Sequence, residues 1–280
     1  MQAQPINKLA IIIIIGYKPF LTENEKASLR QCYNVLHRYP IKVISGKGMD
    51  VSEYRKVIPN IEIEFVDPKW TSSYLMNSQF KTNGWLYNRY RDYEYILFYE
   101  LDAWVFRDEL EYWCKKGFDY IGAPWFDIRT KQTTGSGNGG FSLRRNSSSL
   151  RMTNRIAFLK KVRRFWFKSY LQAIIPFETI IRICKTPLHI RKPEDVTSML
   201  LEKEILEDYY WCKKIAVVFN DFSVAPAEIS YQFSFEANPG LLFEMNQNNL
   251  PFGCHAWEKH EPHFWEKHIR EKAVTTLTIV

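Results

Sequence analysis

The sequence lacks the features that mark membrane-spanning, disulfide-bonded and disordered proteins. Its longest purely aliphatic run, residues 9–15, is far shorter than the roughly 20 residues of a spanning helix, and no secretory signal pattern precedes it. Five cysteines are scattered without a C-x-x-C pair, which argues against a zinc cage and for reduced thiols in a cytoplasmic setting. With 46% hydrophobic residues, the chain is expected to fold as one domain over residues 1–280.

Acidic residues are absent between positions 128 and 177, where eleven lysines and arginines occur. The rest of the chain has 27 basic and 31 acidic residues, against 38 and 31 in the whole, so this segment supplies the net charge of +7. Residues 154–170 within it predict an amphipathic helix, with aromatic residues on one side and cations opposite, in a helical insertion at about 150–185. Such a helix is typical of one lying on an anionic membrane surface, or of an apolar face on the core below a solvated basic face.

Hydrophobic patterning predicts an α/β fold. Residues 9–15, 41–45 and 61–66 have the composition of buried strands, and Thr22 and Glu25 have the spacing of a capping box at the start of a helix that ends near residue 38. Strand, helix and strand in this order predict a central, mostly parallel sheet flanked by helices. Further helices are expected at 72–90, 108–116 and 192–210, and further strands at 95–106, 120–123, 141–143, 215–219 and 222–225.

Two carboxylates, Glu100 and Asp102, stand out in the apolar run of residues 95–106. In an extended chain, residues two apart point to the same face. Two acids at the end of a buried strand need a cation or hydrogen-bond donors, because burying a charge without a partner is costly. The pattern therefore predicts either a divalent-metal site or a pair of salt-bridged acids.

A glycine-rich stretch follows, with four glycines in residues 135–140. One interpretation is a flexible hairpin loop. The other is that backbone N–H groups and Asn138 line a sugar or phosphate site, since glycine lets the backbone approach a ligand closely. The spacing of a phosphate-binding P-loop is absent.

Five motifs in this order resemble glycosyltransferases of the GT-A type: residues 101–106, 119–125, 137–144, 194–196 (Glu-Asp-Val) and 251–257 (Pro-Phe-Gly-Cys-His-Ala-Trp). They are similar to a bacterial domain-of-unknown-function family regarded as glycosyltransferases, and the resemblance spans roughly residues 9–257. It implies a single GT-A-like (Rossmann-like) domain that moves a sugar from a nucleotide-sugar donor to a glycan or lipid-linked acceptor, in bacterial surface polysaccharide or glycoconjugate synthesis.

The resemblance also implies roles for individual residues. Asp102, His255 and Glu100 would hold Mn²⁺ or Mg²⁺ against the diphosphate, although the family pattern has Asp where Glu100 stands. Asp195 would be the general base, with inversion favoured over retention. The donor- and acceptor-binding residues are expected to be Gly16, Tyr17, Asn138, Gly139, Gly140, Glu194 and Trp257.

Other interpretations of these residues stay open from the sequence. Glu194 and Asp195 follow Pro193 as acids commonly do at a helix N-terminus. His255 lies in an aromatic-rich part of the chain, where a histidine is commonly a packed or hydrogen-bonded surface residue. The acid pair and distant histidine also suit a metal-dependent phosphohydrolase, and the basic segment suits a nucleic-acid-binding protein, although no nucleic-acid partner is expected. The predicted location is cytoplasmic, with peripheral attachment to the inner face of the membrane.

Overall fold

The computed structural model describes residues 8–127, 129–130, 132–202 and 204–270. The strands are β1 (Lys8–Gly16), β2 (Ile41–Gly46), β3 (Glu62–Val66), β4 (Tyr93–Tyr99), β5 (Trp104–Val105), β6 (Tyr120–Ile121), β7 (Pro124–Phe126), β8 (Thr133–Ser136), β9 (Phe141–Arg145), β10 (Ser234–Phe235) and β11 (Gly253–Cys254). The termini of the predicted 1–280 domain lie outside the described residues.

The helices are α1 (Glu23–Leu36), α2 (Ser52–Val57), α3 (Tyr74–Phe80), α4 (Gly84–Arg89), α5 (Leu110–Lys115), α6 (Asn146–Lys168), α7 (Phe177–Ile183), α8 (Pro193–Leu201), α9 (Glu207–Tyr209), α10 (Ala216–Val218), α11 (Ala227–Phe233), α12 (Pro239–Met245) and α13 (Pro262–Trp265). Two 3₁₀ segments, Pro68–Thr71 and Tyr170–Ala173, and two π-helical segments, Tyr210–Ile215 and Glu266–Arg270, complete the list.

Six strands form the central sheet in the order β3-β2-β1-β4-β9-β6. The pairs β3–β2, β2–β1 and β1–β4 are parallel, whereas β9 is antiparallel to β4 and β6. Alternate residues of β1 enter different cores: Ile12 and Ile14 pack on the face that carries α1, and Ile11 and Ile13 on the face that carries α4 and α6. Both faces are covered, which explains the continuous apolar run and confirms the predicted mostly parallel sheet.

The first predicted helix is confirmed as α1, and the second predicted helix is divided in two. Thr22 caps α1 as expected, because its hydroxyl accepts from the Glu25 backbone N–H at 3.2 Å and the Glu25 carboxylate accepts from the Thr22 N–H at 2.8 Å. The helix expected over 72–90 is two short helices, α3 and α4. The break is at Asn83, whose side chain caps α4 by accepting from the Trp85 N–H at 2.9 Å.

The late elements differ from the prediction. The helix expected over 192–210 ends at Leu201. Residues 215–219 are helical as far as Val218, and residues 222–225 contribute one bridge, Tyr120 with Val224, rather than a strand. Short apolar runs do not distinguish a buried strand from a buried helical turn, and here tertiary packing favours the helix.

The central strand stops earlier than predicted. β4 ends at Tyr99, and residues 100–103 form a turn that is closed by the Ala103 N–H donating to the Glu100 carbonyl at 2.9 Å. The chain then leaves in β5, which pairs antiparallel with β11 in a second small sheet. Glu100 and Asp102 are therefore brought together by a turn and not by an extended strand.

Helix α6 begins directly after β9 and is the longest in the structure described here, at 23 residues. Its buried residues include Met152, Ile156 and Leu159, which pack against the sheet face that also carries α4. Within the described residues, no helix is long and apolar enough to cross a bilayer.

Candidate active site

A cavity of about 810 Å³ opens where β1 and β4 end. In a sheet with this strand order, the chain leaves β1 and β4 in different directions, and a crevice forms outside their carboxyl ends. Tyr17 follows β1 and Glu100 follows β4, and both line the cavity. The sheet topology thus brings residues that are 83 positions apart to one site.

Three potential metal ligands meet in this cavity. The His255 Nε2 atom lies 3.1 Å from Asp102 Oδ1 and 3.4 Å from Glu100 Oε2, and one ligand atom from each residue lies within 4.8 Å of the others. The Nε2 atom is buried yet has no hydrogen bond of acceptable geometry. Two carboxylates and an imidazole nitrogen are ligand types that fit Mn²⁺ or Mg²⁺, so the residues suit the metal that the sequence predicts.

Strand register brings His255 to the acids. It comes directly after β11, whose Cys254 pairs with Trp104 of β5, so the next residue faces the turn at residues 100–103. On the other side Cys254 pairs with Phe235 of β10, which places Glu236 beside His255. This small sheet connects three distant parts of the chain.

The opposite edge of the His255 ring is held as in known metal sites. Glu236 Oε1 and the Asn138 amide nitrogen each lie 3.2 Å from Nδ1. A carboxylate only accepts, so its contact is satisfied when Nδ1 carries a proton, which leaves Nε2 free to bind a metal. Burial acts to lower the pKa of His255, but its contacts with Asp102, Glu100 and Glu236 outweigh burial and raise that pKa well above its usual range. Metal binding at Nε2 would therefore release a proton.

Glu100 divides its carboxylate between two neighbours. One oxygen faces His255, and the other forms an ion pair with Lys81, a lysine with only 3% of its side chain exposed. Burial acts to raise the pKa of Glu100, but Lys81 and His255 lower it below its usual range. The longer side chain of glutamate lets Glu100 contact the buried Lys81 and the His255 ring at the same time.

Beneath the cluster lies a second buried ionic network, centred on Glu207. Its carboxylate lies 2.9 Å from Arg144 Nη2 and 3.5 Å from Lys81 Nζ, and it accepts a hydrogen bond from the Ser78 hydroxyl at 3.1 Å. All four side chains are buried. The network joins α3, β9 and α9 and forms the floor of the cavity.

The glycine-rich loop is shaped by these side chains. A Cβ atom on Gly139 would lie 1.7 Å from Glu207 Oε1, and one on Gly140 would lie 2.0 Å from His255 Nε2. Asn138, with φ of 58°, accepts from the Gly140 N–H at 2.9 Å. All three residues line the cavity. The loop backbone therefore packs closely against Glu207 and His255 of the protein itself. Neither the flexible hairpin nor the ligand-binding loop expected from the sequence included this contact.

The structure does not bring Asp195 to this cavity. Asp195 lies in the first turn of α8, half-exposed and 3.9 Å from Lys192, and neither it nor Glu194 is among the cavity-lining residues that the structure describes. A second Glu-Asp pair, Glu207 and Asp208, lines the cavity instead. The structure thus places Asp195 outside this cavity: α8 ends at Leu201, and the segment after it, with Glu207 and Asp208, reaches the site.

The remaining predicted residues divide between the cavity and the core. Tyr17 lines the cavity, whereas Gly16 faces the core, where a Cβ atom would lie 2.9 Å from Val43 Cγ1. Trp257 is buried and packs edge-on against Trp104 at 6.2 Å between ring centroids, away from the cavity. Both residues support the framework of the site rather than its surface.

Several cavity residues were not predicted from the sequence: Lys18, Tyr74, Lys81, Trp125, Asp208, Glu236 and Glu258. Asp208 had a detectable signal, because it repeats the Glu-Asp pair 13 positions after the first one. Trp125 ends the motif at residues 119–125, and the others carry no local pattern and reach the site through tertiary structure.

Burial distinguishes Asp208 from ordinary surface acids. Desolvation is the main cause that raises its pKa above the usual range, and the negative charge of the adjacent Glu207 adds to it. A carboxylate with a raised pKa holds a proton more readily, which is the property that a general base requires.

Comparison with known proteins gives one family and one fold. The family model "Protein of unknown function (DUF5672)" matches residues 60–255, which includes most of the cavity residues. No match to the sequence was found among curated proteins.

Three solved structures are similar in fold. An active-site mutant of LgtC aligns at 11% identity over 95% of both chains, with a TM-score of 0.50. The galactosyltransferase LgtC in complex with donor and acceptor sugar analogs aligns at 11% identity over 95% of this chain and 96% of that one, with a TM-score of 0.48. Mouse xyloside xylosyltransferase 1 aligns at 9% identity over 89% and 97%, with a TM-score of 0.49. The chain has the GT-A glycosyltransferase fold.

Proposed function

We propose that this chain, which belongs to the DUF5672 family, transfers a sugar from a nucleotide-sugar donor to an acceptor hydroxyl. The observation that carries the proposal is the cluster of Glu100, Asp102 and His255 in a cavity of about 810 Å³ at the carboxyl ends of β1 and β4. In α/β sheets of this order, ligands bind at that crevice. The GT-A fold supports glycosyl transfer as the reaction class.

The metal ligands in this proposal are Asp102, His255 and Glu100. A bound Mn²⁺ or Mg²⁺ supplies charge that neutralises the diphosphate as the nucleotide leaves. Asp102 is the most accessible of the three, with 40% of its side chain exposed, so it offers an oxygen toward the open cavity. Glu236 keeps the His255 ring in position by accepting from Nδ1–H.

Asp208 is the proposed general base in place of Asp195. The acceptor hydroxyl must lose a proton as the new glycosidic bond forms, and a carboxylate in the cavity can take that proton. Asp208 lines the cavity with a raised pKa, whereas its neighbour Glu207 is committed to Arg144 and Lys81. An inverting reaction follows from a base in this role.

Three aromatic side chains, Tyr17, Tyr74 and Trp125, line the cavity. Tyr17 and Tyr74 are exposed, and Trp125 is half-buried. Flat aromatic faces suit nucleobases and sugar rings, because both present surfaces that pack against a π-system. We propose a glycan or lipid-linked acceptor, as in bacterial surface polysaccharide or glycoconjugate synthesis.

Thermal unfolding with a panel of nucleotides tests the proposal. A ligand that binds only the folded state at 100 times its Kd adds about 2.7 kcal/mol to the free energy of unfolding. We expect a UDP- or GDP-sugar to raise Tm when Mn²⁺ or Mg²⁺ is present. In a separate activity assay, we expect the same donor to be consumed by sugar transfer or by slow hydrolysis.

The matched control is Asp102→Asn, which is expected to keep the wild-type Tm without ligand and lose the metal-dependent increase. If no nucleotide with either metal raises Tm, the proposal is wrong. A two-metal phosphohydrolase is less well supported, because the described residues contain one cluster of three potential ligands and such enzymes bind two ions.

A further inference from the structure

An exposed surface near the end of α6 combines cations with large apolar side chains, and we call it the basic-aromatic surface. Its cations are Lys160, Lys161, Arg163, Arg164 and Lys168, and its apolar side chains are Phe165, Phe167, Tyr170, Ile174 and Ile183. Tyr170 is 93% exposed, Ile174 74% and Phe165 67%. Four of these apolar residues lie within the ten positions 165–174, and exposed apolar side chains that cluster commonly mark a binding surface.

The cations of this surface have no ion-pair partner among the residues that the structure describes. Within the described part of the chain, none of the five forms a salt bridge. Four other arginines of the acid-free stretch are paired: Arg144 with Glu207, Arg145 with Asp119, and Arg151 and Arg155 with Asp221. Five like charges close together repel one another, so an external anionic partner would stabilise this surface.

A groove provides a place for anionic groups. It has a volume of about 350 Å³ and is lined by Lys160, Arg163, Arg164, Phe167, Lys168 and Leu200. The Arg163 guanidinium lies 4.7 Å from the centre of the Phe167 ring, so a cation and an aromatic face occur side by side in the groove. Phosphate oxygens suit this lining, because arginine presents several donors in a fixed fork.

The apolar face that the helical pattern predicts for α6 is largely used by the core. Leu159 is fully buried, and the Trp166 ring packs 5.5 Å from that of Phe177 while its Nε1 donates to the Ile175 carbonyl at 2.8 Å. Phe158 and Phe165 remain exposed. The available apolar groups are thus at the end of α6, in the turn after it and on α7.

We propose that the basic-aromatic surface docks the protein on an anionic lipid bilayer. Aromatic and aliphatic side chains enter the boundary between headgroups and acyl chains, while lysines and arginines contact lipid phosphates. Ile174 and Ile183 favour lipid over a nucleic acid, because an aliphatic side chain cannot stack on a base. A second copy of the same cationic surface would be repelled. The proposal is independent of the glycosyl-transfer reaction.

Co-sedimentation with vesicles tests the proposal. The full chain is mixed with vesicles of phosphatidylcholine alone, or of phosphatidylcholine with about 30% phosphatidylglycerol. Each mixture is measured at low and at high salt. We expect binding to the anionic vesicles at low salt, weak binding at high salt, and no binding to neutral vesicles.

Two variants assign the binding to this surface. Replacing Lys160, Lys161, Arg164 and Lys168 with Gln is expected to weaken partitioning about 100-fold or more, because each cation near an anionic leaflet contributes roughly a fivefold factor. Replacing Phe165, Phe167 and Tyr170 with Ser is expected to weaken it about tenfold or more with little change in salt dependence.

The matched charge control replaces four exposed cations elsewhere, Arg30, Lys47, Arg55 and Arg91, with Gln. These residues form no salt bridge in the described structure. The control is expected to bind like the wild type, and far-ultraviolet circular dichroism checks that every variant is folded. The proposal is wrong if anionic vesicles are not bound at low salt, or if the control weakens binding as much as the test variant.

Discussion

Asp195 and Asp208 are the same amino acid, each preceded by glutamate, yet their surroundings give them different chemistry. Asp195 has 47% of its side chain exposed at the start of α8 and faces Lys192. Asp208 lines the cavity, where burial and Glu207 raise its pKa. Of the two, only Asp208 lines the cavity that contains Asp102 and His255.

The first prediction compares these two aspartates. Asp208→Asn is expected to keep donor affinity and to lower kcat about 10²- to 10⁴-fold, because the amide cannot take the acceptor proton. Donor Kd is measured by calorimetry and kcat at saturating donor. The matched control, Asp195→Asn, is expected to stay within about twofold of wild type for a residue outside the site. Loss of turnover in Asp195→Asn with normal turnover in Asp208→Asn would contradict the assignment.

At the scale of elements, the loop between β8 and β9 packs against Glu100 and His255, two of the three potential metal ligands. The Gly140 carbonyl accepts from the Glu100 N–H at 2.7 Å, and the Gly140 N–H donates to Asn138. Its backbone is therefore held from two sides and cannot move to admit a side chain. His255 occupies the space where a Cβ atom would lie.

The second prediction concerns this loop. Gly140→Ala is expected to displace the His255 ring and to weaken Mn²⁺ binding about tenfold or more, as loss of a residue that orients a ligand commonly does. Metal affinity is measured by titration calorimetry, with circular dichroism as a check on folding. In the control Gly240→Ala, the new Cβ would lie 3.1 Å from the flexible end of Glu261, so wild-type affinity is expected. Normal affinity in Gly140→Ala would show that His255 is not a ligand.

At the scale of the whole molecule, the buried ionic network holds separate elements together beneath the cavity. Glu207 contacts Arg144 of β9, Ser78 of α3 and Lys81, and Lys81 in turn contacts Glu100 at the end of β4. Burial acts to raise the pKa of Glu207, but Lys81 and Arg144 lower it, so Glu207 is ionised at neutral pH. The network balances two buried cations with two carboxylates.

The third prediction is a stability change. Glu207→Gln leaves Arg144 and Lys81 with too little negative charge and is expected to lower the free energy of unfolding by about 3 kcal/mol or more. Denaturant unfolding measures the change. Glu202→Gln is the control, because Glu202 pairs with Lys214 at 2.7 Å on the surface, and losing such a pair costs about 1 kcal/mol or less. A loss in Glu207→Gln as small as in the control would mean that the network contributes little to stability.

What the sequence determined by itself was the class of fold and the central cluster. The isoleucine run of β1 and the capping box of α1 depend on neighbours close along the chain, so local pattern specifies them. Glu100 and Asp102 were found as two acids at the end of an apolar run, and His255 was added because the motif around it resembles a known family. The membrane-facing role of the basic segment stays a prediction.

Tertiary structure alone decided which additional charged residues share the site. Lys81, Asp208 and Glu236 reach the cavity through strand register, the early end of α8 and the packing of α3, which depend on contacts between residues far apart in sequence. The local pattern at residues 194–196 fits a helix start and a catalytic motif equally well, since both place acids after a proline. The choice between Asp195 and Asp208 required the path of the chain in three dimensions.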